Sequence, residues 1–136
     1  MAVAYVDASA ISKLVHAERG SAELDAYLSS CEVVSSDLSV TEVARGVRRV
    51  AQDDRERLGE LLEKAMIALE EMTLITVETG TLVRAGAIQG AFLRSLDAIH
   101  IATAQLLGDV DVFVTYDERQ AAAARLAGLH TISPGA

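Results

Sequence analysis

Four acidic residues stand where a chain of apolar strands and amphipathic helices has least reason to place them. Asp7 ends the apolar run Val3-Ala4-Tyr5-Val6, and Asp117 lies just beyond Val112-Phe113-Val114-Thr115. Glu42 borders the apolar stripe of one expected helix, and Asp97 interrupts the most hydrophobic one. If the two strands run parallel, Asp7 and Asp117 project from the carboxyl edge of one sheet, where open α/β folds bind their ligands. Carboxylates gathered there repel one another unless protons or divalent cations neutralise them. Such a set offers the chemistry of a hard-metal site, with oxygen ligands suited to Mg²⁺ or Mn²⁺.

Each acid also has an ordinary explanation. Asp7 and Asp117 directly precede predicted helices and can cap them. Gln120 stands three residues after Asp117, the spacing of a capping box. A cap tolerates Ser, Asn or Thr, however, whereas a metal ligand needs the charge. Glu42 has Arg45 three residues on, the spacing of a surface ion pair worth ~0.2–0.5 kcal/mol. Asp97 is harder to dismiss, because Leu93, Leu96, Ala98, Ile99, Ile101 and Ala102 surround it in sequence. A carboxylate in that setting is expensive unless paired or metal-bound. His100, one turn later, offers a buried Asp–His pair, so we take Asp97 as the functional acid and His100 as its hydrogen-bonding support. Ser9 follows Asp7 by two residues and Thr115 precedes Asp117 by two. Each hydroxyl is placed to bond a carboxylate or a metal-bound water, or is simply a helix-start or strand-end residue. His16 and His130 share no spacing with this set.

The elements that must position these residues follow from periodicity. Strands are predicted at Val3–Val6, Cys31–Ser35, Leu74–Val77, Val112–Thr115 and His130–Ile132. Between them come helices at about Ala8–His16, Ala22–Ser29, Thr79–Ile88, Leu93–Leu107 and Arg119–Ala127. Two more helices carry the buried-face spacings Val40, Val43, Val47, Ala51 and Leu58, Leu61, Leu62, Ala65, Leu69. Short apolar strands alternating with helices imply an α/β fold, a three-layer α/β/α sandwich around a mostly parallel sheet.

Length and composition narrow the rest. The 136 residues fit one domain, and 51% hydrophobic residues suffice for a substantial core. Aromatics make up only 4%, so aliphatic side chains and alanine must fill it. One cysteine, Cys31, excludes an internal disulfide and agrees with a reducing cytoplasmic compartment. No basic leader precedes the first strand, and no apolar run reaches the ~18 residues a membrane span needs. The net charge of −8 opposes nucleic-acid binding. Against that total, Arg45, Arg48, Arg49, Arg55 and Arg57 cluster within a short span, as either a nucleic-acid contact or a solvated face paired with Asp53, Asp54 and Glu56.

Taken in order, the motifs resemble those of PIN domains. Asp7-Ala8-Ser9-Ala10 is similar to their D-x-S start, and Ser39-Val40-Thr41-Glu42-Val43-Ala44-Arg45-Gly46 to their glutamate motif. Leu96-Asp97-Ala98-Ile99-His100-Ile101-Ala102-Thr103-Ala104 resembles their L-D-A-x-x-x-A-T-A helix, and Val114-Thr115-Tyr116-Asp117 their T-x-D strand end. Size and order most resemble the VapC toxins of VapBC toxin–antitoxin pairs, and the match spans nearly all of residues 1–136 as one nuclease domain. That resemblance implies a Mg²⁺-dependent endoribonuclease, with Mn²⁺ as substitute, whose acidic site is Asp7, Glu42, Asp97 and Asp117. It further implies a homodimer, a small antitoxin that covers the site, and a substrate in single-stranded loops of transfer or ribosomal RNA.

Two rivals remain. A receiver-type signalling domain has similar length and clustered acids, but needs an acidic pair after the first strand and a lysine near the last strands. Here Asp7 stands alone, and Lys13 and Lys64 lie in predicted helices elsewhere. A catalytically idle PIN fold serving as an interaction module is the other, and the intact acids weigh against it.

Overall fold

The computed structural model describes all residues from 1 to 136. Five strands, β1 (Ala2–Val6), β2 (Cys31–Ser36), β3 (Thr73–Ile75), β4 (Val112–Val114) and β5 (Thr131–Ile132), form one sheet. Seven helices alternate with them: α1 (Ala8–Val15), α2 (Ser21–Leu28), α3 (Leu38–Ala51), α4 (Arg55–Glu70), α5 (Thr79–Ala85), α6 (Ser95–Leu107) and α7 (Glu118–Leu126). Every strand pair is parallel, as the alternation of strands and helices predicts.

The period of two along β1 sends its side chains into two cores. Ala4 and Val6 join Val112 and Val114 of β4 against Ile11, Leu24, Val43, Val47, Leu61 and Leu69, so α1–α4 cover one face. Tyr5 and Phe113 point the other way, onto Ile101 and Ala104 of α6 and Ala123 and Ala124 of α7. The result is the three-layer sandwich. Within α3, Val43, Val47 and Ala51 are buried at four-residue intervals, and Leu61, Ala65 and Leu69 repeat this in α4.

Strand order is β3-β2-β1-β4-β5. From β1 the chain moves outward through β2 to β3, then returns to β1's other side to build β4 and β5. The switch point thus lies between β1 and β4, where connections leave in opposite directions and open a crevice at the carboxyl ends. A receiver domain orders its strands 2-1-3-4-5, so that alternative is excluded.

Element ends differ from expectation by at most three residues, the three being at the end of α5, which stops at Ala85 rather than Ile88, and the largest consequence is in α6. Its start is Ser95 rather than Leu93, because Phe92 adopts a left-handed φ of 60° that no helix continues through. Asp97 therefore sits in the first turn instead of deep in an apolar helix. At the other end, α6 stops at Gly108 in the left-handed conformation. No helix is long and apolar enough to cross a membrane.

Burial along these stripes sets a stability expectation. Ile11 is fully buried at the centre of the α1–α4 face, whereas Met66 is 54% exposed on the far side of α4. Ile11→Ala should cost ~2–5 kcal/mol in urea unfolding, and Met66→Ala within about 0.5 kcal/mol of nothing. Equal losses at the two positions would contradict this layer assignment.

Candidate functional site

Asp7 follows β1 directly, and its backbone N–H continues the ladder to the Val114 carbonyl at 3.2 Å. Its carboxylate is 2% exposed and caps α1. Oδ1 accepts from the Ala10 N–H at 3.0 Å and from the Ser9 hydroxyl at 2.6 Å. Oδ2 accepts from the Thr115 hydroxyl at 2.5 Å. Burial pushes the Asp7 pKa up, and these donors together with the nearby His100 pull against it without reversing it.

Ser9 and Thr115 each own one hydroxyl proton, and both protons are committed to Asp7. Their oxygens in turn accept from the backbone N–H groups of Tyr116 (3.0 Å) and Asp117 (3.1 Å). The two hydroxyls therefore hold a carboxylate, and they stitch the segment after β4 to the segment after β1.

Glu42, in the second turn of α3, is half-buried and leans to the crevice. Its Oε1 lies 2.6 Å from His100 Nε2. The other ring nitrogen, Nδ1, lies 2.7 Å from the Tyr5 hydroxyl. Tyr5 is fully buried, stacked on Phe113 at 5.2 Å, and burial drives its pKa far up, so it keeps its proton. The two contacts span the ring, joining Tyr5 at Nδ1 to Glu42 at Nε2. This corrects the expectation that His100 supports Asp97. Tyr5 and Glu42 claim both ring nitrogens, leaving none for Asp97. It also displaces the Glu42–Arg45 pair, for the only ion pairs are Lys13–Glu18 and His100–Glu42.

Asp97 is partly exposed, and no hydrogen bond reaches its carboxylate. Partial burial raises its pKa first, and then the charges of Asp117, Asp7 and Glu42 raise it further, against the pull of His100. Asp117 is exposed and caps α7, accepting from the Gln120 N–H at 2.9 Å. The Gln120 side chain does not close the expected capping box. It donates instead to the Asp97 backbone carbonyl at 3.1 Å, tying α7 to the first turn of α6.

Asp7, Glu42, Asp97 and Asp117 all line one cavity of about 240 Å³ at the switch point, with Ser9 and His100. Ala8, Ser12, Gly46, Arg49 and Gln120 line it too, and of these Ser12 was not singled out from the sequence in any role. Gly46 carried a signal, because a glycine inside a helix costs ~1 kcal/mol and this one stands a full turn past Glu42 on the same face. Of the arginine cluster, Arg49 alone reaches the cavity. The expected pairing of that cluster with Asp53, Asp54 and Glu56 is absent, and Asp54 instead caps α4 through the Arg57 N–H.

No group of three or more acidic, histidine or cysteine side chains is close enough to hold one ion in common. The donor set nevertheless fits a hard cation. All its members are carboxylates, that of Asp97 has no other partner, and burial and then repulsion by the other acids raise the pKa of Asp97. Mg²⁺ is commonly held by one or two carboxylates with water completing its shell, which is what this spacing permits.

Two outcomes follow for the metal-free protein. Asp97→Asn removes a repelling charge and nearly preserves shape, so at pH 7 it should melt at or above wild type. The raised native pKa means that wild type recovers this stability as pH falls through the ordinary carboxylate range, where the mutant's advantage should vanish. Thr115→Val removes a donor from a buried carboxylate and should cost ~1–3 kcal/mol by chemical denaturation. If the Asp97→Asn protein melts well below wild type in EDTA, Asp97 is a structural residue.

Comparison with known proteins agrees with this geometry. Residues 4–126 match the family described as PIN domain. The chain is 41% identical to Ribonuclease VapC46 of Mycobacterium tuberculosis, covering 98% of this chain and 99% of that one. It is 34% identical to Ribonuclease VapC47 of the same species, with 97% of each covered. Among solved structures, M. tuberculosis VapC20, described as a sarcin-ricin loop cleaving toxin, superposes with a TM-score of 0.74 at 16% identity, over 96% of this chain and 99% of that one. VapBC2 of Rickettsia felis, bound to a promoter DNA fragment, gives 0.71 at 13% identity over 97% and 98%. Those two likenesses establish the fold, and the full-length sequence relatives carry the kinship further: this chain belongs to the PIN-domain family and, within it, to the VapC group.

Proposed function

We propose that residues 1–136 act as one Mg²⁺-dependent endoribonuclease, the toxin of a VapBC pair. The observation that carries this reading is the single crevice into which β1, α3, α6 and the β4–α7 turn each deliver a carboxylate. The names of the full-length relatives, all ribonucleases, support the same class of reaction.

Phosphodiester hydrolysis needs an activated water, an in-line approach to phosphorus, and positive charge on the phosphate oxygens. Bound Mg²⁺ or Mn²⁺ supplies that charge and makes water acidic enough to react. Asp7 and Asp97 would be its core ligands. Asp7 is the rigid one, its carboxylate fixed by Ser9, Thr115 and the Ala10 N–H. Glu42 keeps Oε2 uncommitted while His100 holds Oε1, so it can orient or take a proton from the attacking water. Asp117, exposed at the rim, would hold a second ion or its waters. Arg49 contributes the one cationic side chain beside the acids and pairs with the phosphate backbone despite the chain's overall negative charge. The 3′-oxygen leaves, so the products end in 5′-phosphate and 3′-hydroxyl.

The partners in this reading are a single-stranded loop of transfer or ribosomal RNA, a small antitoxin and a second copy of the chain, in the cytoplasm. The VapBC assembly among the solved relatives supports an antitoxin.

Purified protein should cut RNA with Mg²⁺ or Mn²⁺ and stop in EDTA. Asp7→Asn and Asp97→Asn should abolish cutting, and should relieve growth arrest at equal protein level. Activity that persists in EDTA, or products ending in 2′,3′-cyclic phosphate, would overturn the mechanism, since the latter means attack by the substrate's own 2′-hydroxyl.

A further inference from the structure

Beside the acidic crevice runs a larger groove of about 330 Å³ between α1 and α3. Ser12, Gly46 and Arg49 line both cavities, so the two adjoin across these residues, which form the saddle between them. At this saddle Gly46 has no side chain. A Cβ there would stand 3.7 Å from Arg49 Nη2 and 3.8 Å from the Ser12 hydroxyl, which is ordinary contact, and atoms beyond it would fill the passage. Past the saddle the floor is apolar, from Val15, Val47 and Leu61, while His16 stands on the wall. Glu18 is the one acid in the groove, and Lys13 pairs with it at 3.2 Å.

We propose that this groove is the subsite for the nucleotide next to the cut. The inference rests on the nuclease reading above and extends it to substrate binding. A strand whose scissile phosphate lies at the carboxylates must leave the crevice, and the saddle is a built exit from it. The neighbouring nucleotide has the matching chemistry: a flat apolar face for the exposed Val50, backed by the buried Val15, Val47 and Leu61, a phosphate for the Arg49 guanidinium, and polar base edges for His16. Bases are bound here through packing and one hydrogen-bonding side chain, so the site reads strand geometry more than sequence. It also accounts for the placement of one arginine, Arg49, beside the carboxylates of an acidic protein. Arg49 touches the strand at the one point where the carboxylates repel it most.

The test compares a dinucleotide with hexanucleotides extended on either side of the cut. Wild type should cut one of the extended series at least tenfold more efficiently in kcat/KM. Arg49→Ala and His16→Ala should remove most of that gain, chiefly through KM, and Arg49→Lys should restore part of it. Gly46→Leu, which replaces a helix-interior glycine and should melt no lower than wild type, should remove the gain by closing the saddle. In EDTA, where nothing is cut, fluorescence anisotropy with a single-stranded hexanucleotide should show binding at least fivefold weaker in each variant except Arg49→Lys. The salt slope should also flatten by about one for Arg49→Ala. A gain and an affinity untouched by all these variants would overturn the subsite. So would variants that keep both but escape inhibition by a co-expressed antitoxin, for the groove would then belong to the protein partner. Wild type that cuts neither substrate, yet binds the hexanucleotide through Arg49 and Gly46, would instead defeat the nuclease reading and leave the groove standing.

Discussion

The rest of this molecule is arranged around a carboxylate that is almost wholly buried. Asp7 terminates the central strand with 2% of its surface exposed, in surroundings that disfavour its charge. An acid so placed is tolerated only where donors converge on it. Three do: Ser9 and Ala10 from the first turn of α1 just after it, and Thr115, at the end of β4, from a distant part of the chain. Because Ser9 and Thr115 then receive the N–H groups of Tyr116 and Asp117, the same network sets the path of the chain beyond β4. The buried acid thus acts as a joint between two strands at the point where the sheet's connections part.

Around that joint the second layer of polar contacts is divided with little waste. Tyr5 lies on the opposite face of β1 from Ala4 and Val6, yet its hydroxyl reaches His100, and His100 reaches Glu42. The chain of contacts crosses from one helical layer, through the edge of the sheet, to the other. No buried side-chain nitrogen or oxygen is left without a partner. Asp97 is the contrast, since no hydrogen bond quiets its carboxylate and three other acids repel it. The native fold holds that repulsion in place through packing elsewhere, as sites that give up stability for chemistry do.

Packing explains how the layers come close enough for this. The α1–α4 face is filled by larger aliphatic residues such as Ile11, Leu24 and Leu61. On the other face alanines recur, with Ala98, Ala102 and Ala104 in α6 and Ala121, Ala123 and Ala124 in α7. Small residues let helices approach, and Gln120 of α7 takes advantage of it by bonding the Asp97 carbonyl. The first turn of α6 and the cap of α7 are thereby held at one place, which puts Asp97 and Asp117 on the same cavity.

Much of this was written locally in the sequence. A short unbroken apolar run marked β1, four-residue spacings marked the buried faces of α3 and α4, and Asp7 and Asp117 stood at strand ends where both capping and site geometry want them. These features depend on neighbours within a turn or two, so one-dimensional spacing suffices to read them. The PIN-like motifs likewise followed from order along the chain. Tertiary structure alone decided which groups meet. His100 lies three residues from Asp97 but bonds Glu42, 58 positions away, because strand order brings α3 and α6 together over Tyr5. Arg49 separated from its neighbouring arginines, and Gly46 acquired a purpose, only when α3 was laid beside α1. Such outcomes are set by distances between remote segments, and periodicity carries no information about those.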